Sequence, residues 1–315
     1  MIIKNFDFNK IQQLEKEYED KIADRYNRDY HEPPIMNEHS RRFVDYLSRA
    51  IKPGDRVLDL ACASASLWGH FKKLLPENIT LVGVDLSPKM LEEARKQFPQ
   101  GDFREGSFAN IPSGPGEFDV VIVSSAFHHI NDKLLPDSLT EISRVMDEHG
   151  ILLGREPLLA GRLVDRGGWF SGLLMTIRHF VYHKTHTREY PEPDPGPDHH
   201  AYKAIDFLNI INSKLTVENI QFSAPFSPVL ARVNNEDVAT IAKYIDDSIG
   251  HREGQEIYYT AKKNHVSSTQ LLDCVYKALN ENNISKEELN QLSTRIAAAA
   301  SVIEKILSKN FNYKF

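Results

Sequence analysis

The stretch Val57–Leu58–Asp59–Leu60–Ala61–Cys62–Ala63–Ser64–Ala65 decides how this chain folds. A short apolar strand runs into a tight turn of small side chains, and a helical pattern begins near Ser66. Small side chains let a ligand approach the backbone closely. About 25 residues on, Val84–Asp85 ends a second apolar run with a carboxylate. That spacing suits a nucleoside ligand. The small-residue turn meets its tail, and Asp85 accepts hydrogen bonds from both ribose hydroxyls. An ordinary α/β crossover with a polar strand end would carry the same residues.

The pattern extends outward from this point. Strands are predicted at Arg56–Leu60, Thr80–Val84, Phe103–Gly106, Phe118–Ser124 and Ile151–Arg155. Helical patterns separate them at about Ser66–Leu75, Pro88–Phe98 and Leu134–Met146, the last ending at the turn-forming Gly150. Apolar strands alternating with helices argue for a parallel sheet covered on both faces, with its ligand site at the carboxyl ends of the strands. Further on come a helix at Ala204–Ser213, a strand at Val217–Phe222, a helix at Glu236–Ser248 and a strand at Glu256–Lys262. The final two strands suit an antiparallel pair added to the parallel sheet. The expected fold is α/β, a seven-stranded, mostly parallel sheet with an antiparallel last strand and helices on both faces.

Four regions follow from these shifts in texture. Residues 1–50 read as an N-terminal helical cover. It has a helix over Lys10–Arg28, a break at Pro33–Pro34 and a second helix over about Asn37–Ala50. Residues 51–156 and 207–264 form the α/β domain. Residues 157–206 read as a lid inserted over the sheet edge, with Trp169, many aromatics and the proline run Pro191–Pro197. Residues 265–315 form a helical extension with a capping box at Ser285 and Glu288.

Composition narrows the function classes. The 315 residues carry a net charge of -6, which disfavours gripping a nucleic-acid backbone. Two cysteines, Cys62 and Cys274, cannot make a disulfide framework, and no secretory signal pattern is visible, so a reducing cytoplasm is expected. No stretch of eighteen apolar residues predicts a spanning helix.

On these motifs the chain resembles the class I S-adenosylmethionine-dependent methyltransferases. Within them it is most similar to the small-molecule branch of ubiquinone and menaquinone biosynthesis. The resemblance covers Pro53–Arg155 well and the two later strands loosely, and it implies a Rossmann-like sheet with S-adenosylmethionine as cofactor. It places the turn Ala61–Cys62–Ala63–Ser64–Ala65 beside the methionine part and Asp59 behind it, near the amino group. Asp85 would hold the ribose, Leu86 would lie by the adenine, and Ser107–Phe108 would flank the base. Ser124 closes the fourth-strand motif Phe118–Asp119–Val120–Val121 at the cleft. The chain departs from the family at two points. Alanine stands at 61, 63 and 65, where the family usually has glycine, and Ser107 stands where it often has an acid.

Methyl transfer from a sulfonium is a nucleophilic substitution, which needs alignment and, for some acceptors, a base. His128 and His129 follow the fourth strand at the mouth of the cleft, and either could serve as that base or shape the pocket. Glu156, at the end of the fifth strand, could orient an acceptor hydroxyl or amine, or pair with Arg155. Tyr30 and His31, beside the helix-breaking prolines, are candidates to cover cofactor or substrate. His179, His183 and His186 could line one side of a helix, but no complete ligand set accompanies them, so no metal is expected.

The expected activity is methyl transfer to a small, partly hydrophobic metabolite or natural-product intermediate. Two alternatives stand beside it. One is an S-adenosylmethionine-binding enzyme doing other chemistry. The other is a degenerate interaction protein whose cleft the alanine methyls close. The apolar helix of the lid could also meet a membrane-proximal lipid, and the lid or the C-terminal helices could pack against a second copy.

Overall fold

The structure, a computed structural model, describes residues 8–30, 34–131, 133–158, 202–223, 243, 256–263, 271–275 and 277. The strands read from the sequence become β1 (Arg56–Leu60), β2 (Thr80–Asp85), β3 (Asp102–Glu105), β4 (Phe118–Ser124), β5 (Met146–Pro157), β6 (Thr216–Ser223) and β7 (Glu256–Lys262). They form one seven-stranded sheet in the order β3-β2-β1-β4-β5-β7-β6. β1 to β5 pair in parallel, and β7 runs antiparallel to both β5 and β6. The strand order reverses between β1 and β4, and in such sheets the ligand crevice opens there, at the carboxyl ends.

Side chains alternate across the sheet, and both faces are buried. On one face Leu58, Val82, Val121 and Leu152 pack against α5 (Leu135–Val145) and α6 (Ala204–Asn212) through Leu139, Ile142, Phe207 and Ile211. On the other face Val57, Leu81 and Ile122 meet Phe43 and Leu47 of α2 (Pro34–Ser48), Trp68 of α3 (Ser66–Phe71) and Leu91 of α4 (Pro88–Gln97). Each such buried aliphatic or aromatic side chain stabilises the fold by roughly 1.5–3 kcal/mol. Ser87 caps α4, its hydroxyl accepting from the Met90 N–H at 3.0 Å, and Pro88 takes the first helical turn.

Several boundaries differ from the sequence reading, most by a residue or two, and two of the larger differences have a clear physical cause. α2 begins at Pro34, because proline fits a first helical turn as well as it breaks an interior one. β5 begins at Met146 rather than Ile151: Met146 pairs with Phe118, and the register then shifts before Val120 meets Ile151. Gly150 permits this bulge, since a Cβ there would lie 3.0 Å from the Asp147 nitrogen and 3.1 Å from the Phe118 carbonyl oxygen.

The long helix α1 (Phe8–Tyr30) lies over the carboxyl end of the sheet. Ile22 and Ala23 bury against Met90 of α4. Polar ties fix its position. Lys16 pairs with Glu105, the Ser87 hydroxyl donates to Asp20 at 2.5 Å, and the hydroxyls of Ser64 and Ser66 donate to Asn27. Most of the expected lid and C-terminal extension, and most of the helix expected at Glu236–Ser248, lie outside the described residues.

Candidate functional site

The turn after β1 resolves the question its alanines raise. Ala61, Ala63 and Ala65 all adopt left-handed backbone angles, with φ of 61°, 45° and 55°. Each such alanine costs roughly 1–2 kcal/mol relative to a right-handed conformation. Hydrogen bonds hold the strained turn. The N–H groups of Ala61 and Cys62 donate to the Val84 carbonyl at 2.8 and 3.1 Å. The Ala63 N–H donates to Asp85 Oδ2 at 2.9 Å. The path of a glycine-type turn is therefore kept without glycine, and the cleft is open: Ala61 and Ala63 line a cavity instead of filling it.

Asp85 has two tasks in this geometry. Oδ2 staples the turn, and Oδ1 accepts from the Ser87 N–H at 2.9 Å. Each carboxylate oxygen keeps a lone pair, enough for two further hydroxyl donors. Burial pushes the Asp85 carboxyl up to about 6, against the pull of the Ser87 and Ala63 N–H groups, and Glu15 adds a smaller upward push. Asp59 lies behind the turn and accepts from the Trp68 indole N–H at 2.6 Å. Burial also pushes Asp59 up to about 6, the Trp68 bond opposing it and the Asp85 charge adding to it. The Cys62 thiol is pushed well up, chiefly by burial, so it is no nucleophile at neutral pH.

Of the residues singled out in the sequence, Ala61, Ala63, Asp85, Leu86, Ser107, Phe108, Ser124 and His129 line this cavity. Asp59, Cys62, Ser64 and Ala65 stand behind the wall. His128 and Glu156 do not line it either; they pair with each other. Glu156 is fully buried. Its carboxylate receives the N–H groups of Phe127 and His128 at 3.2 and 3.1 Å and contacts His128 Nδ1 at 2.5 Å. It thus clamps the short 3-10 turn Phe127–His129 that follows β4. The turn starts from Ser125, at φ 54°, whose N–H donates to the Arg155 carbonyl at 2.9 Å. This arrangement directs the His129 ring to the cavity, with Nδ1 2.7 Å from Glu15 Oε1 of α1. Tyr30 ends α1, but its side chain and the whole of His31 lie outside the described residues, as do His179, His183 and His186.

The sequence reading expected an N-terminal cover but did not single out Gln12, Glu15 and Glu19 of α1. Gln12, Glu15, Glu19 and Tyr26 all line the cavity. Their spacings of three, four and seven put them on one helical face, a signal visible beforehand but passed over for the apolar stripe. Among the described lining residues Glu15, Glu19 and Asp85 are carboxylates, and none is lysine or arginine. That balance suits a positively charged ligand. Among the described residues no group of three His, Cys, Asp or Glu gathers as a metal site, and no helix is long and apolar enough to cross a membrane.

Comparison with known proteins agrees with this geometry. Residues 57–150 match a family model described as a methyltransferase domain. A demethylmenaquinone methyltransferase of Thermotoga maritima is 28% identical over 203 residues, 63% of this chain and 82% of that protein. An uncharacterized methyltransferase of Synechocystis is 36% identical over 102 residues, 32% of this chain, and the match spans only 47% of that protein. A 2-phytyl-1,4-naphtoquinone methyltransferase of Nostoc is 31% identical over 101 residues, 30% of this chain and 43% of that protein. Among solved structures, a SAM-dependent methyltransferase of Thermotoga maritima superposes with a TM-score of 0.50 at 12% identity, covering 81% of this chain and all of the other. The [4+2]-cyclase SpnF superposes at 0.53 and 14% identity, over 81% of this chain and 97% of its own. The residues present fit S-adenosylmethionine. Asp85 offers free lone pairs to a ribose, Leu86 and Phe108 offer apolar walls to an adenine, and the acidic lining suits a sulfonium. With the alanine turn, the Asp85 strand end and these matches in hand, residues 57–150 form a methyltransferase domain of the S-adenosylmethionine-dependent kind, and the chain around it is similar to methyltransferases of ubiquinone and menaquinone biosynthesis.

Proposed function

We propose that the protein transfers a methyl group from S-adenosylmethionine to a small, partly apolar acceptor whose ring carries hydroxyl groups, of the naphthoquinol type. The observation that carries this reading is the cavity at the β1–β4 crevice, walled by the left-handed alanine turn and floored by Asp85. The named acceptors of the demethylmenaquinone and 2-phytyl-1,4-naphtoquinone relatives support the choice of ring.

When bound, the cofactor supplies a methyl group on a positively charged sulfur. The chain's own residues do the rest. Asp85 accepts the ribose hydroxyls, while Leu86, Ser107 and Phe108 flank the base. Ala61 and Ala63 offer backbone and close walls to the methionine part, and Asp59 behind them fixes the turn through Trp68. Glu15 and Glu19 of α1 add negative potential near the sulfonium and cover the cavity from water. His129, held against Glu15, takes the proton that an acceptor hydroxyl or carbon releases. Glu156 and His128 act at one remove, by fixing the turn that carries His129.

The test is an assay of the full chain with S-adenosylmethionine and 1,4-dihydroxynaphthalene under reducing conditions, followed by mass spectrometry. The reading expects S-adenosylhomocysteine and a singly methylated product, both lost in Asp85→Ala. Cofactor binding without methylated product from this ring, or from other hydroxylated aromatic acceptors, would count against it.

A further inference from the structure

Helix α5 carries one polar residue on its buried face. Leu135, Leu139, Ile142 and Val145 are fully buried there, and Ser138 stands among them with 2% exposure. A helical hydroxyl often bonds back to the carbonyl four residues earlier, as Thr140 does to Pro136 at 3.0 Å. Ser138 does not. Its N–H donates to the Leu134 carbonyl at 2.9 Å, but its hydroxyl bonds to none of the described residues. Buried polar groups are nearly always matched, so a serine in an apolar row needs a partner from elsewhere. Ser138 lines the cofactor cavity, and its hydroxyl is not among the sealed, unpartnered atoms of the core. Its small remaining exposure opens into that cavity.

The path of the chain decides which end of the cavity Ser138 faces. α5 starts at the carboxyl end of the sheet, where Leu134 also lines the cavity, and descends toward the start of β5. One turn below Ser138 it grips the loop after β3. Glu141 Oε1 accepts from the Ile111 N–H at 3.0 Å, and Arg144 donates to the carbonyls of Ile111 and Ser113 at 3.1 and 2.9 Å. Ser138 and Glu141 are three residues apart and share a helix face. Ser138 therefore looks toward the loop Gly106–Ile111, whose Ser107 and Phe108 flank the base in the reading above. His129, assigned to the acceptor, lies before α5 begins.

That loop is rich in donors and short of an acceptor. The Phe108 N–H bonds to none of the described residues and can serve a ring nitrogen. The Ser107 hydroxyl already accepts from the Ala109 N–H at 3.3 Å, and paired backbone bonds between Ser107 and Asn110, at 3.2 and 3.1 Å, close the loop around it. An amino group on the base would lack a partner on the loop's own side chains.

We propose that Ser138 reads the cofactor's base: its hydroxyl accepts a hydrogen bond from the exocyclic amino group of adenine, the contact that Ser107 does not supply. The Ser138 proton then turns to the Leu134 carbonyl, which has a second lone pair. This inference rests on the reading that Ser107 and Phe108 flank the base. It also makes the base preference modest, because a neutral hydroxyl accepts more weakly than a carboxylate.

The test titrates the full chain by calorimetry with S-adenosylhomocysteine and with its 6-deamino analogue, in which hydrogen replaces the amino group. The parent chain is expected to prefer S-adenosylhomocysteine by about three- to tenfold, the value of one neutral hydrogen bond. Ser138→Ala should bring that ratio below about twofold by weakening S-adenosylhomocysteine alone. Ser138→Cys, which keeps the volume with a poor acceptor, should do the same. Ser107→Ala should leave the ratio in place. Equal affinity for the two ligands in the parent chain overturns the proposal. So do Ser138 variants that leave the ratio unchanged or weaken both ligands alike, the mark of a packing role, and so does a ratio lost in Ser107→Ala. Failure of S-adenosylhomocysteine itself to bind would instead count against the cofactor reading, so the two failures are distinguishable.

Discussion

Cofactor affinity should fall as the medium is acidified, while the stability of the cofactor-free protein should rise. Asp85 and Asp59 are both pushed from an ordinary 3.8 up to about 6, mainly by burial. A folded-state value above the unfolded one means that the folded chain binds the proton more tightly. Between about pH 4 and pH 6 the folded chain therefore carries more protons, so stability falls as pH rises through that window and levels off above it. For one carboxyl displaced by about two pH units the full effect is about 3 kcal/mol, and the two acids interact, so their effects do not simply add. Cofactor binding should show the opposite slope, because Asp85 must be ionised to accept both ribose hydroxyls. S-Adenosylhomocysteine affinity should be level above about pH 6.5 and fall by up to tenfold per pH unit below about 6. Calorimetry in two buffers of different ionisation enthalpy would count the proton released on binding. Asp85→Asn should weaken binding roughly 10- to 100-fold at neutral pH and flatten its acid dependence. An affinity constant from pH 7.5 to pH 5 would refute the reasoning. An acid slope retained in Asp85→Asn would move the proton to another group, Asp59 first among them.

Three further outcomes follow from packing and backbone geometry. Ala63→Gly should relieve roughly 1–2 kcal/mol of left-handed strain against a chain-entropy cost of roughly 0.5–1 kcal/mol, leaving stability unchanged or raised by up to about 1 kcal/mol. Ala63→Val places a β-branched residue at φ 45° and should be destabilising with weakened cofactor binding; urea unfolding that ranks the two variants the other way refutes the assigned turn. Glu156→Ala strips three hydrogen bonds from the turn after β4 and should cost roughly 3–5 kcal/mol in chemical denaturation; a loss below 1 kcal/mol would show that the clamp is not structural. Gly154→Ala brings a Cβ to within 2.3 Å of the Tyr259 hydroxyl. It should cost roughly 1–3 kcal/mol, with part recovered when Tyr259 is shortened to leucine; no coupling between the two changes in a double-mutant cycle would refute that contact.

The parallel sheet was legible because strands buried on both faces are largely apolar, as at Phe118–Ser124, whose bounds the sequence reading matched, as it did those of the antiparallel Glu256–Lys262. Asp85 was legible for the opposite reason, as a carboxylate ending such a run. The role of Glu156 was not. A glutamate at a strand end reads as a group facing the cleft, and only the β4–β5 register shows it turned under the next turn, bonded to Phe127 and His128. The cavity face of α1 was also missed, because the stripe containing Ile22 and Tyr18 dominates its helical period and the polar face beside it reads as solvated. The left-handed angles at Ala61, Ala63 and Ala65 have no local signal, since alanine rarely adopts them and only the hydrogen bonds to Val84 and Asp85 impose them.

The account rests on the alanine turn and Asp85 forming a working cofactor site. Titration of the full chain with S-adenosylhomocysteine at pH 7.5 tests this most directly. The account predicts saturable binding of one molecule per chain that Asp85→Ala abolishes or greatly weakens. Absence of binding at millimolar ligand, or binding indifferent to Asp85→Ala, would contradict it.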